Sequence, residues 1–150
     1  MTCSDGTFLA PLDPYKHCMD RLARLQQELE KKVRFSKNWQ RVREQINKLY
    51  TKIANIRKNY LHQISSAISK NHAIVFVEDL KIKNLTKSAK GTVEEPGKNV
   101  KAKSGLNRAI LDQGWGMFFR FLNYKLAWKG GHMIAVPPQN TSRTCQRCGH

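Results

Sequence analysis

The apolar positions of this chain change period several times, and each change predicts an element. From about Lys16 to Arg34, Leu22, Leu25, Leu29 and Val33 recur at three- and four-residue steps, the spacing of one helical face. The pattern breaks at Phe35-Ser36-Lys37-Asn38, where Ser36 or Asn38 is suited to cap the next helix. Val42, Ile46, Leu49, Ile53, Ile56 and Tyr60 then follow steps of 4, 3, 4, 3 and 4, an a/d seam that Ile64 or Ala67 extends. Two helices joined by so short a break predict an antiparallel hairpin over about residues 16–70.

The flanking segments read differently. Ser4-Asp5-Gly6 signals a turn before the strand-like Thr7-Phe8-Leu9, and Pro11 and Pro14 bracket a loop. Ala73 to Val77 is a continuous apolar run ended by Glu78 and Asp79. Its length and β-branched content predict a buried central strand, parallel to a neighbour. Residues 81–105 show no apolar period and read as a mobile basic loop. A helix follows, from near Asn107 or after Asp112 to about Lys129, carrying Trp115, Phe118, Phe119, Leu122, Leu126 and Trp128. Gly130-Gly131 stops it. His132 to Val136 is a second strand, ended by Pro137-Pro138. Strand, helix, strand in this order predicts a right-handed parallel crossover and an α/β fold.

Composition adds mainly the sign of the charge. The 150 residues hold 27 Lys and Arg against 11 acids, a formal charge of +16. Such an excess seeks a polyanion, with DNA or RNA as the leading partner and an anionic membrane surface as the alternative. No stretch approaches the roughly 20 apolar residues of a membrane span, and the first residues lack the pattern of a signal peptide. Four cysteines without export signals suit the cytoplasm. Residues 20–72 alone hold 13 cations and 4 acids. Arg41, Lys48 and Lys52 on the hairpin are therefore candidate phosphate contacts, as are Lys81, Lys83, Lys87, Lys90, Lys98, Lys101 and Lys103 in the loop. The plain alternative is that these charges only solvate their faces.

Three further features carry possible chemistry. Glu78 stands where a strand emerges, the end at which α/β sheets collect ligands, and a carboxylate there suits Mg²⁺. Equally, Glu78 and Asp79 are suited simply to terminate a strand; they face opposite sides of the pleat, so at most one serves a given site. Cys145 and Cys148 have the spacing of one zinc knuckle, with a redox pair or idle thiols as alternatives. A closed structural site needs a second pair. Cys3 and Cys18 read as small buried or idle thiols, and the aromatic stripe reads as core before it reads as a base-stacking surface. His17, His62, His72 and His132 show no ligand spacing.

Taken together, Val75-Phe76-Val77-Glu78-Asp79-Leu80, Trp115, the Tyr124-Lys125 dipeptide and the run from Pro137 through Cys145-Gln146-Arg147-Cys148-Gly149-His150 resemble the TnpB (OrfB) transposases of bacterial insertion sequences. These proteins are related to the type V CRISPR nucleases. The resemblance also takes in Asp5-Gly6-Thr7 and the helical hairpin. It implies an incomplete RNase H-like, RuvC-type nuclease domain over residues 1–138 and the first half of a four-cysteine zinc ribbon over 139–150. It further implies an RNA-guided, metal-dependent DNA endonuclease with a guide RNA as partner and an Asp, a Glu and a later Asp as its magnesium site. Only Glu78 matches a residue of that triad. The expectation is therefore an internal fragment of a nuclease that keeps nucleic-acid affinity and lacks cleavage. A non-catalytic nucleic-acid-binding regulator and a structural helical-hairpin protein are the rival classes.

Overall fold

In a computed structural model, residues 2–4 and 6–138 are described. The chain forms two compact units. One draws on residues up to 60 and on 88–114, the other on 61–87 and from 115 onward. The order of elements is α1 (Pro14–Glu30), α2 (Lys37–Asn71), β1 (Ile74–Glu78), α3 (Ile82–Leu85), α4 (Val100–Gln113), α5 (Trp115–Ala127) and β2 (His132–Val136).

In the first unit the predicted hairpin is present. Leu22 of α1 packs with Val42, Ile46, Leu49 and Ile53 of α2, and Tyr15, Cys18, Leu25 and Leu29 close over them. Ser36 caps α2, its hydroxyl accepting the Trp39 N–H at 3.2 Å. α1 ends at Glu30, four residues before the expected Arg34, because Val33 lies past the last seat on the partner helix and is 79% exposed. The seam also ends earlier than expected within this unit. Ile56 is 37% exposed, and the next inward position belongs to Arg57.

Arg57 meets Asp112 of α4, whose carboxylate is buried. One Asp112 oxygen pairs with the Arg57 guanidinium; the other accepts the Tyr15 N–H at 3.0 Å. The Asp112 carbonyl accepts the Arg57 Nε–H at 2.8 Å. Asp13, the residue before α1, makes no cap bond of its own and instead accepts Gln113 Nε2–H at 2.7 Å. The orphan N–H of the first turn of α1 is thus satisfied from a distant helix. Because Tyr15 and Arg57 share one carboxylate while Glu30 and Lys37 are joined by a short link, α1 and α2 run antiparallel.

α4 is a correction to the sequence reading. The expected loop over 81–105 contains α3 and the first turns of α4, and residues 90–97 close on themselves through a Gly91–Pro96 bridge. The helix expected to run to about Lys129 is α5, with the later of its two expected starts; α4 precedes it and ends at Gly114, whose φ of 68° lies in the left-handed region. Flexible-looking Lys, Ser and Gly residues hid α4, since its apolar members are few and Leu106 and Leu111 stay exposed.

In the second unit β1 and β2 pair in parallel, from Ile74 opposite His132 to Glu78 opposite Val136. α5 packs on β2 and buries Phe118, Phe121, Leu122 and Leu126. Gly131 allows the close approach that starts the pairing. A Cβ there would meet the Ala73 carbonyl oxygen at 2.3 Å, the same oxygen that accepts the His132 N–H at 2.8 Å. The expectation that β1 is a buried central strand is not met. Among the described residues it has one neighbour, and Ile74 and Phe76 are 54% and 66% exposed. The apolar run correctly marked a strand, but burial on both faces needs a layer on each, and only the Val75/Val77 side is half covered. Trp128 also leaves the expected core; it is 80% exposed beyond the end of α5.

The Asp112 tie yields a direct test. Asp112→Asn leaves Arg57 without its counter-charge and lowers stability by about 3 kcal/mol. The urea midpoint of the full chain reads this; an unchanged midpoint would show that the pair is not holding α4 in place.

Candidate nucleic-acid interface and strand-end carboxylate

Parallel pairing carries β1 to its carboxyl end at Glu78, and the pleat then separates two adjacent acids. Glu78 continues the exposed Ile74/Phe76 face. Asp79 is half-buried, donates its N–H to the Val136 carbonyl at 2.8 Å and pairs with Lys81 Nζ at 2.5 Å. Asp79 is therefore engaged in closing the strand end, while Glu78 is the carboxylate presented to solvent. Among the described residues no three His, Cys, Asp or Glu side chains gather as a metal site, so these residues by themselves do not fit a two-metal centre. Cys145 and Cys148 lie outside the described residues. Cys3 and Cys18 are partly buried and unpaired as disulfides.

The basic residues expected to meet phosphate fall into both units. In the second, Lys81, Lys83 and Lys87 follow Glu78 in and around α3, all exposed. In the first, Arg41, Lys48 and Lys52 are exposed on α2. Their spacings of seven and four residues put them on one stripe of the helix, away from the buried Val42–Ile53 seam. Lys90 and Lys98 flank the bridged turn; Lys101 and Lys103 lie in the first turns of α4. Two residues apart on a helix, Lys101 and Lys103 point to nearly opposite sides, and Lys103 is half-buried. The linear loop reading would have let them follow one phosphate path.

A polar cluster went unforeseen. Lys125 on α5 donates to the His62 carbonyl at 2.7 Å and to the Ser65 and Ser66 hydroxyls at 2.8 Å each. The His62 ring stacks on Phe121 at 3.8 Å between centroids. Burial lowers the Lys125 pKa, since desolvation penalises the ammonium. That penalty is complete below the lowered folded pKa and is relieved as pH rises toward the unfolded value. The sequence offered only the adjacency of Tyr124 and Lys125; the acceptors come from a helix some 60 residues earlier.

The described residues thus form a basic, mixed helix–strand chain with an exposed carboxylate at the end of a parallel strand. Comparison with known proteins identifies its family. Residues 1–89 match the OrfB_IS605 family, described as "Probable transposase", and residues 115–150 match the "Cas12f1-like, TNB domain" family. The chain belongs to the TnpB (OrfB) family of insertion-sequence transposases. It is 54% identical over 149 residues to "Putative RNA-guided DNA endonuclease InsQ" of Escherichia coli K12, covering 99% of this chain and 37% of that protein. It is 28% identical over 130 residues to a "Putative RNA-guided DNA endonuclease" of Streptomyces pristinaespiralis, covering 86% of this chain and 29% of that one. The chain thus spans about a third of the length of these relatives. No helix among the described residues is long and apolar enough to cross a membrane.

The Asp79 pair separates two neighbouring lysines. Lys81 already has a counter-charge, whereas Lys83 has a solvent-facing position on α3. Lys83→Gln should reduce the magnitude of the log–log salt slope for duplex DNA by about 0.9, while Lys81→Gln leaves it nearly unchanged. Fluorescence anisotropy across about 50–200 mM salt distinguishes them; equal effects would mean that Asp79 releases Lys81 on binding.

Proposed function

We propose that this chain is a nucleic-acid-binding part of an RNA-guided, metal-dependent DNA endonuclease with a RuvC-like domain, and that as a 150-residue polypeptide it binds DNA or RNA without cutting it. The observation that carries the reading is the charge of +16 together with the exposed Arg41/Lys48/Lys52 stripe on α2. Phosphate contacts by lysine and arginine need no intact catalytic centre. The relatives' names as RNA-guided DNA endonucleases support the partner class. Binding is electrostatic, so affinity for duplex DNA falls steeply with salt at about 0.9 in log–log slope per phosphate neutralised. Binding that is absent at low salt, or flat across salt, rules the reading out.

Glu78 is the one carboxylate of the expected magnesium site that this reading assigns here. Two-metal cleavage needs several oxygens to hold and bridge ions about 3.5–4 Å apart, so the polypeptide shows no cleavage with Mg²⁺ or Mn²⁺. Reproducible cleavage that Glu78→Gln abolishes would overturn this and show that Asp79 or a second chain completes the site. Cys145 and Cys148 are assigned to zinc as half of a ribbon. Two thiolates are half of the four ligands that a closed zinc site needs, and native mass spectrometry of the 150-residue polypeptide is expected to find less than one zinc per chain, or one per dimer. One tightly held zinc per monomer contradicts the half-site assignment.

A further inference from the structure

The turn between α1 and α2 presents an exposed aromatic and arginine cluster that the charge argument above does not use. Phe35 is 66% exposed, and its φ of 66° is unusual for a residue with a bulky side chain. Its carbonyl is held by the Gln40 side-chain N–H at 3.2 Å, so the strained backbone is fixed in place. The Phe35 and Trp39 rings sit 5.4 Å apart, tilted by 59°. The Arg34 guanidinium lies 5.1 Å from the Phe35 ring centre, and that of Arg43 lies 5.3 Å from the Trp39 ring centre.

Residues 31–43 contain six cations and no carboxylate. Among the described residues, Lys32 alone of these pairs with an acid, Glu28, at 3.5 Å. An apolar core has no use for an outward Phe at a positive φ, and a solvated tip has no use for two aromatic rings. We infer that this tip is a stacking platform for an unpaired nucleotide: Phe35 and Trp39 take the base, and Arg34, Lys37 and Arg43 take the flanking phosphates. Aromatic faces bind any base, and a run of cations without acids complements a bare strand. A duplex keeps its bases stacked inside and offers only phosphates to such a tip. The inference deepens the nucleic-acid reading above and rests on it, adding a residue-level preference for single strands.

The test uses the full chain with a thymidine 12-mer, a uridine 12-mer and a blunt DNA duplex. Phe35→Asn is the first variant, because Asn tolerates the left-handed backbone and should keep the turn. Trp39→Leu is the second, chosen to retain apolar bulk beside α2. Each is expected to weaken single-strand binding about tenfold and duplex binding less than twofold; whichever 12-mer loses more identifies the strand type. Equal loss for duplex and single strand, or no loss in either variant, overturns the platform while leaving the electrostatic reading intact. Absence of wild-type binding to all three at low salt overturns both. If Phe35→Asn instead turns a sedimenting dimer into a monomer with binding unchanged, the tip is a contact between copies and the inference is wrong.

Discussion

Much of the first unit depends on one desolvated carboxylate. Asp112 satisfies a backbone donor of α1, neutralises a guanidinium on α2 and belongs itself to the last turn of α4. A buried charge is tolerable when each of its lone pairs finds a donor, and here two donors come from two helices. The consequence is geometric. The start of α1 cannot slide along α2 without unpairing Asp112, so the apolar seam, which by itself tolerates slippage by a turn, acquires a register. Asp13 and Gln113 repeat the same connection one residue away, binding the lead-in to α1 to the end of α4.

This arrangement also explains what was legible in the residues and what was not. The hairpin was readable because Leu22, Val42, Ile46, Leu49 and Ile53 follow a period that only a helix produces. Extending the seam through Ile56 failed because the position that turns inward is Arg57, and its partner lies 55 residues away. No local pattern announces such a partner. α4 was unreadable for the same reason: its anchoring residue is polar, and among lysines, glycines and serines a lone Asp looks like another surface charge. Strands were found from composition, whereas which faces they bury is a property of layers, and composition carries no layers. The family likeness came through short motifs, such as the Glu78-Asp79 pair and Tyr124-Lys125, whose contacts in the fold no local pattern announces.

Lys125 shows how a strongly basic chain handles a partly buried positive charge. Three neutral oxygens, one carbonyl and two hydroxyls, receive its three donors. The hydrogen bonds are complete, yet none brings a counter-charge, and desolvation still disfavours the ammonium. A carboxylate in place of Ser65 or Ser66 would favour the charge more strongly. The serines instead leave net positive charge in the unit, which is the direction in which the whole composition leans.

Glu78 and Asp79 make the complementary point for the acids. Eleven carboxylates among 27 cations are easily consumed by neutralisation, and Asp79 is consumed in this way, by Lys81 two residues on. Glu78 escapes because the pleat turns it to the other face, where its neighbours along the strand are Phe76 and Ile74 rather than lysines. A carboxylate used only to end a strand would gain from a nearby cation, and the chain has many to offer. The strand thus keeps Glu78 on an apolar, solvent-open face, while Asp79 pairs with the lysine and its N–H closes the strand end.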